Sequence, residues 1–513
     1  MTEVAVASSS QLSAQAGKRI ADEGGNAVDA AIAASLVSMT TEPGVCSLGG
    51  GGFVTVSAPG EAPITIDGSI AMPGRGLRPE ELGKGVHDAV MGYGGGLRTI
   101  VGHGSVGVPG ALAALGLASE RFGRLPWHAL VQPAYELGRD GFPLPQPAHD
   151  YLVHSHEVVF GWHPLSQRAL HHADGSLKGR GELIVVDDLG DSLERIARLG
   201  VGDFYRGEIA ARIASDSRAH EGMLSAEDLA TYEPVVRTPL AVSLGDWDIA
   251  TNPPPAIGGT TLSAMLLAVR RAKLQGTDAE SISQLVDIQR AVFAFRRHTL
   301  DLSDQVDEDA RALLETASDG ALQPNAPSSS TVHASAVDDH RGACAITMSA
   351  GYSAGVIPPG TGIWMNNCLG EIELNRRGLI AGPPGTRISS NMAPTVATHR
   401  AGHVLSIGSP GADRITSAIL QTLINFVYRD MNLRDAINAP RLHTEVSDSG
   451  GEKVAVEPGI DASSVRIPVR SFDEQSMYFG GVGAALLRAD GRLESAADPR
   501  RTGGAAKGGT PQD

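Results

Sequence analysis

The feature that most constrains this chain is the junction Pro327-Ser328-Ser329-Ser330-Thr331-Val332-His333-Ala334-Ser335-Ala336-Val337-Asp338. Ahead of it, Asp319 to Ser330 is polar, contains two prolines and has no apolar period, so it reads as an exposed loop. From Thr331 the residues alternate, with Thr331, His333 and Ser335 on one face and Val332, Ala334 and Ala336 on the other. A period of two predicts a half-buried strand that begins on a hydroxyl residue. Asp339-His340-Arg341-Gly342 supplies a turn and Ala343 to Ser349 a second strand. A hairpin closed there sets Ser349 opposite or nearly opposite Thr331. A threonine at a strand start, after a cleavable loop and across from a second hydroxyl, fits an N-terminal nucleophile. Cutting before Thr331 would free an α-amine to act as base for its own hydroxyl. An ordinary linker and hairpin is the competing reading, and the rest of the chain decides between them.

Composition narrows the classes. A chain of 513 residues could hold two to four average domains or one large layered unit, and 42% hydrophobic residues suffice for a sizeable core. With 63 glycines and only 4% aromatics, packing by small residues is expected. A net charge of −16 argues against nucleic acid and anionic membrane surfaces as partners. Cys46, Cys344 and Cys368 are too few and too scattered for a disulfide framework or a zinc site, and are expected to be buried, inert thiols. The first residues show no basic n-region followed by an apolar run, so no signal peptide is visible. The apolar-leaning stretch from Ala27 to Met39 carries Asp29, Ser35 and Ser38 and is too short to span a bilayer. These features together set the expectation of a soluble, cytoplasmic protein with a small-molecule substrate and no membrane partner.

Along the chain, Ser10 to Ile20 and Asn26 to Met39 read as amphipathic helices, with Asn26 as N-cap. Gly49 to Gly52 lead into a strand, Phe53 to Val56, which pairs with Ile64 to Asp67; four glycines let another backbone approach closely. The stretch from Pro109 to Leu314 is mostly helical in pattern, including Ala111 to Phe122, Trp127 to Leu137, Ser192 to Leu199, Ile209 to Asp216 and Thr261 to Val269. A strand near Leu240 to Val242 and the rigid loop Pro253-Pro254-Pro255 interrupt it. Gly362 to Asn367 reads as a strand end. Val404 to Ile407 reads as a strand that runs through Gly408-Ser409-Pro410-Gly411 into a helix from Ile415 to Tyr428, a geometry that offers backbone N–H groups to an anion. Gly503 to Asp513 looks disordered. Blocks of strands and helices favour a layered α+β sandwich.

Several motifs in order resemble the γ-glutamyltranspeptidases (glutathione hydrolases), from about residue 8 to residue 502. They are Gly24-Gly25-Asn26-Ala27-Val28-Asp29-Ala30-Ala31, Gly49-Gly50-Gly51-Gly52-Phe53, Phe204-Tyr205-Arg206-Gly207, Pro253-Pro254-Pro255 with Gly258-Gly259, Asn366-Asn367, Gly408-Ser409-Pro410-Gly411, Asn438-Ala439-Pro440-Arg441 and Ala497-Asp498-Pro499-Arg500. The resemblance implies a four-layer αββα N-terminal-nucleophile fold and a precursor that cuts itself between Ser330 and Thr331. It implies a large subunit of residues 1–330 and a small one of 331–513 that stay together, and it leaves open whether such heterodimers pair. It also implies no cofactor or metal. By position, Thr331 is the nucleophile and Ser349 the hydroxyl that orients it, while the amides of Gly411 and Ala412 form the oxyanion hole. The second of that pair is glycine in the family, but an N–H donor needs no particular side chain.

The substrate pocket departs from the family. Its carboxylate-binding arginine falls at about Ser69, its asparagine at Gly351, and its Gln and Asp at Cys368 and Glu371. Of its serine pair, Ser390 remains and Asn391 replaces the second. Serine cannot replace a bidentate guanidinium clamp. Glu371 is left to hold an amine, and Ser390 with Asn391 to donate to a carboxylate. The segment from Glu371 to Arg387 is short, so the family's lid is expected to be absent. A hydrolase of altered acyl specificity follows, with a cephalosporin- or glutaryl-type acylase as the enzymatic alternative and an unprocessed, inactive binding protein as the other. Ser353, in Gly351-Tyr352-Ser353-Ala354-Gly355, fits the serine-hydrolase motif, but Pro358-Pro359 forbids the helix that motif needs. Gly102-His103-Gly104-Ser105-Val106-Gly107 fits the dinucleotide fingerprint without its ribose-binding acid. His171-His172 reads as part of a solvated loop.

Overall fold

The computed structural model describes residues 2–92, 96–319, 331–372, 374–446 and 451–509. Two antiparallel sheets are stacked between helices. The first runs Gly504–Gly508, Val4–Ser8, Val332–Asp338, Ala343–Ser349, Gly51–Ser57, Ile64–Gly68, Val235–Arg237 in spatial order. The second runs Leu493–Ala497, Gly483–Leu487, Val404–Gly408, Thr395–His399, Trp247–Thr251, Leu240–Leu244. Helices Gln11–Asp22, Ala27–Thr41 and Ala111–Phe122 cover the outer face of the first sheet, and Ile257–Ala272 with Arg414–Leu423 covers the second. This is the four-layer αββα sandwich that the motifs implied.

Side-chain size explains the layering. The core between the sheets is built largely of small residues, Ala5, Ala250, Ala343, Ala345 and Ala485 among them, which lets the two sheets pack closely. Val332, Ala334 and Ala336 face the helices in a separate, larger core. The other face of that strand holds Thr331, His333 and Ser335, as the alternation predicts. The strand is not half-buried, however: all seven residues of Val332–Asp338 are buried, because its polar face lies against the second sheet. His333 donates or accepts at both ring nitrogens, to Thr347 Oγ1 at 2.9 Å and Ser335 Oγ at 2.7 Å. Burial pushes its pKa down to about 3, so the ring is neutral.

Local sequence signals account for the elements that hold the hairpin. Asn26 caps the second helix: its side chain accepts from Val28 N and Asp29 N, and the Asp29 carboxylate accepts in return from Asn26 N. Asp338 Oδ2 accepts from Ala27 N at 3.1 Å while Oδ1 accepts from His340 N and Gly342 N, tying that helix to the hairpin turn. The glycine run behaves as expected: a Cβ at Gly50 would lie 2.4 Å from Ser349 O, and one at Gly52 would lie 2.1 Å from Thr347 O.

Two expectations fail. Gly503 to Asp513 was expected to be disordered, yet Gly504–Gly508 forms the edge strand beside Val4–Ser8. Its glycines are there for clearance, since a Cβ at Gly504 would meet Ser10 O at 2.4 Å. Gly362 to Asn367 contributes only a single bridge, Met365 to Gly49. Its polar residues serve as ties instead. Asn366 Nδ2 donates to Gly49 O and Gly107 O, and Asn367 Nδ2 donates to Thr99 Oγ1 and Ile100 O. The expected helix from Ile415 continues past Leu423 as a π-helical turn, Ile424–Tyr428. Among the described residues no helix is long and apolar enough to cross a membrane.

Candidate active site

Strand pairing fixes the centre of the site. Val332 pairs with Met348, so the register carried back one residue sets Thr331 opposite Ser349, and Ser349 pairs in turn with Gly51. Both hydroxyl residues are buried, and Ser349 Oγ accepts from Gly351 N at 3.0 Å. Thr331, Ser349, Glu371, Ser390 and Asn391 line one cavity, together with Ser69 and Cys368. Five positions singled out from sequence, from three separate stretches of chain, therefore share one wall. The cavity measures about 30 Å³, room for about one water. Ser330 lies outside the described residues.

Each wall residue has a visible support. Ser390 O accepts from Ile257 N at 2.9 Å and Gly258 N at 3.0 Å, so the first turn of a buried helix grips the segment that carries Ser390 and Asn391. Gly258 is needed for that grip, because a Cβ there would sit 2.1 Å from Asn391 O. Asn391 Nδ2 donates to Asp413 Oδ1, which also accepts from Arg296 Nη1 at 2.6 Å. Arg296 is itself buried and reaches Asp301 at 3.1 Å. Glu371 is buried against Gly351, whose φ of +65° suits glycine; a Cβ there would lie 2.9 Å from the Glu371 Cδ. Burial and the nearby Glu371 push the Cys368 thiol well up, so it is a neutral S–H. Ser69 Oγ donates to Asp67 Oδ1 at 2.6 Å, and Asp67 in turn accepts from Arg237 Nε at 2.8 Å.

Gly411 and Ala412 do not line that cavity. They form the turn between the strand Val404–Gly408 and the helix Arg414–Leu423, with φ of +123° and +69°. Among the described residues no protein acceptor takes either amide N–H. The pair is tied to the cavity through the next residue, Asp413, and its bond to Asn391. A left-handed alanine costs on the order of 1 kcal/mol, a strain typical of functional turns.

Sequence reasoning missed Glu42. It lines a second cavity of about 30 Å³ that also has Thr331, His333, Tyr352, Asp498 and Arg501 in its wall. Ser9 Oγ donates to Glu42 Oε1 at 2.6 Å, while Oε2 is buried with no hydrogen-bond partner among the described residues. Burial raises this carboxyl to about 7. Nothing in the sequence distinguishes it from an acid at a solvated helix end. Only the tertiary structure buries it.

The rival motifs resolve into structure. Ser353 is buried at φ +70°, donates to Met365 O at 3.2 Å, and no helix follows it. Gly102 to Gly107 follows a strand of an antiparallel hairpin, His87–Met91 with Leu97–Val101, so the βαβ frame of a dinucleotide site is missing from it. His171 is buried rather than solvated, because its Nε2 meets His156 Nδ1 at 2.9 Å; His172 reaches Glu182 at 3.2 Å. Among the described residues, two trios have ligand atoms close enough for a metal. In His103, Asp216 and His220, Asp216 bonds His103 Nε2 at 3.0 Å and its backbone oxygen bonds His220 Nδ1 at 2.9 Å. In Asp338, Asp339 and His340, the Asp338 carboxylate is occupied by the backbone amides of the hairpin turn and of Ala27.

The comparisons with known proteins agree with the fold. The model of the γ-glutamyltranspeptidase family matches residues 13–508. A glutathione hydrolase proenzyme of Escherichia coli is 28% identical, with 96% of this chain and 90% of the relative covered. An acylase ACY 1 proenzyme of Pseudomonas sp. (strain SE83) is 26% identical over 96% of this chain and 91% of its own. The crystal structure of a cephalosporin acylase from Bacillus halodurans shares the fold, with a TM-score of 0.78, 24% identity, and 98% and 96% of the two chains covered. With Thr331 and Ser349 set opposite each other on one hairpin, a glycine turn, and a family match that runs almost end to end, the chain belongs to the γ-glutamyltranspeptidase family.

Proposed function

We propose that this chain is a self-cleaving N-terminal-nucleophile amidohydrolase that hydrolyses, and transfers to amine acceptors, acyl groups of the γ-glutamyl class. The observation that carries the reading is the convergence of Thr331, Ser349, Glu371, Ser390 and Asn391 on one buried cavity. In maturation, Thr331 Oγ attacks the carbonyl carbon of Ser330, the peptide C–N bond breaks and an ester forms. Water then hydrolyses the ester and leaves a free amine on Thr331. That amine has an ordinary pKa of about 7.7–8.0, so near neutrality it can take the proton from its own hydroxyl. The hydroxyl then attacks the substrate amide, Ser349 orients it, and the Gly411 and Ala412 amides stabilise the oxyanion. The amine product leaves with the transferred proton, and water or an acceptor amine resolves the acyl-enzyme.

The fragments would be residues 1–330 and 331–513. A cephalosporin- or glutaryl-type acylase is the second reading, favoured by the absence of an arginine among the described residues of the cavity wall. The deciding experiment is the intact mass of wild type beside Thr331→Ala, with turnover of γ-glutamyl-p-nitroanilide and a glutaryl anilide. We expect two fragments in the wild type, the smaller beginning at Thr331, and one inactive chain in the variant. Cleavage that persists in the variant would remove Thr331 from the mechanism. An uncut, inactive wild type would make the chain a binding protein.

A further inference from the structure

Thr331 stands in the wall of two cavities, the hydroxyl-lined one and the one that holds Glu42. The free amine that acts as base in turnover does not exist before the cut. Until then the nitrogen of Thr331 belongs to a peptide bond, whose resonance leaves it no basic lone pair. Self-cleavage therefore needs another group to take the hydroxyl proton. Few side chains that share a cavity with Thr331 can do so. His333 is held at both ring nitrogens by Thr347 and Ser335, and burial makes its ring a weak base. Asp498 is paired with Arg441 at 2.6 Å and with Arg500 at 3.2 Å. Phenols, thiols and guanidinium groups hold their protons near neutrality, which sets aside Tyr151, Tyr352, Cys368 and Arg501. Two carboxyls remain, and Glu371 is already engaged by the Cys368 thiol.

The other is Glu42. It ends the buried helix Ala27–Thr41, where its N–H donates to Ser38 O, and it is 0% exposed. Ser9 Oγ donates to one carboxylate oxygen at 2.6 Å, while Oε2 is buried without a partner among the described residues. A buried polar atom left unpaired costs stability and is kept where chemistry uses it. The cavity between Glu42 and Thr331, about 30 Å³, has room for one water to carry a proton. Burial raises the Glu42 carboxyl to about 7, against the hydroxyls of Ser9, Ser38 and Ser10 and the charge of Arg501 from the C-terminal turn. The negative end of its own helix works with burial. Cys46, on the following loop, is a buried thiol that stays neutral. Near neutrality a useful fraction of Glu42 is thus ionised and able to accept a proton.

We propose that Glu42 is the general base of self-cleavage, serving Thr331 before its amine is free. The Glu42 carboxylate takes the proton of Thr331 Oγ across the cavity they share. Oγ bonds to the carbonyl carbon of Ser330, the Ser330–Thr331 C–N bond breaks, and Glu42 returns the proton to the departing nitrogen. An ester and a free amine result, the carboxylate is restored, and water then hydrolyses the ester. One nucleophile thus uses two bases, Glu42 until the cut and its own amine afterwards. The inference rests on the assignment of Thr331 as nucleophile.

Full-length chain made by cell-free translation, then held at a series of pH values from about 5 to 9, tests it by the rate at which fragments appear in intact mass. In the wild type the rate should rise with pH up to about 7 and level off above, as Glu42 loses its proton. Glu42→Gln should slow cleavage about 100-fold or more and remove that rise; Glu42→Asp should keep the rise at a lower rate. Hydroxylamine, which opens esters, should not speed fragment formation in Glu42→Gln. Rescue by it would put the ester before the step that needs Glu42 and overturn the proposal. The wild-type profile needs no variant to fold, and a rate flat across the series overturns the proposal by itself. Cleavage lost in Glu371→Gln but kept in Glu42→Gln moves the base to the other cavity and overturns it too. If Thr331→Ala stays whole while Glu42→Gln cuts at the wild-type rate, this proposal falls and the Thr331 mechanism stands. If Thr331→Ala is cut, or the wild type stays whole at every pH, both fall.

Discussion

At the residue scale, burial decides the charge of the groups around Thr331. Glu42 is raised to about 7 by burial, so folding favours its protonated form. A carboxyl raised in this way stabilises the fold fully below its unfolded pKa, near 4.5, and the contribution is lost as pH rises to about 7. The loss is about 3 kcal/mol at its upper limit. Glu42→Gln should therefore gain stability over wild type as pH goes from 4.5 to 7, with a constant difference above 7. Chemical denaturation of both proteins at pH 4, 5.5, 7 and 8 checks it; a difference flat with pH would mean that Glu42 is charged in the fold. His333 shifts the other way, but it is common to both proteins and cancels in the comparison. Ser353 offers a second check, because its motif alone would make it a nucleophile. Ser353→Ala should lose about 2 kcal/mol of stability, for the two hydrogen bonds of its hydroxyl, to Met365 O and from Gly355 N, and keep turnover within about twofold. Loss of the acyl-enzyme in that variant would transfer the chemistry to Ser353.

At the element scale, the site depends on glycines and asparagines that bring unlike segments together. Gly408 ends a strand of the second sheet directly against His333 of the first, where an added Cβ would lie 2.3 Å from the ring. Gly408→Ala should push the ring off Thr347 and Ser335 and destabilise the protein by about 2–3 kcal/mol, with turnover falling as the adjacent Thr331 shifts. An unchanged melting temperature would mean that the two sheets can part at no cost. Asn366 joins the glycine run at Gly49 to the loop at Gly107. It donates to both carbonyls and accepts from Gly107 N and Cys368 N. Asn366→Ala leaves four buried backbone groups without partners, an expected loss of about 2–4 kcal/mol measured by denaturant titration. Much of this layer was legible in sequence. Ala111–Phe122 begins and ends where its apolar period does, Asn26 caps as its type predicts, and the hairpin register follows from alternation and turn length. The edge strand Gly504–Gly508 was not legible, because glycine and alanine carry no period. It exists only because Val4–Ser8 offers it an edge.

At the scale of the whole molecule, the proposed cut falls inside an interleaved sheet. In spatial order the first sheet takes Gly504–Gly508 from the C-terminal part, Val4–Ser8 from the N-terminal part, then Val332–Asp338 and Ala343–Ser349, and then Gly51–Ser57. The second sheet joins Thr395–His399 to Trp247–Thr251 across the same divide. Fragments cut before Thr331 should therefore co-elute in size exclusion as one particle and separate only in unfolding concentrations of denaturant. Separation in buffer would mean that the strands do not interleave as described.

The sequence by itself determined the hairpin, its register and the small-residue packing, because period and turn chemistry are local along the chain. Only the tertiary structure decided the electrostatics. Whether His333 is charged, whether Glu42 is buried, and whether any arginine reaches the cavity wall depend on which distant segments surround each group. Burial by those segments, together with the charges they bring, sets the free energy of a charge, and neither can be read from the residue's own neighbours in sequence.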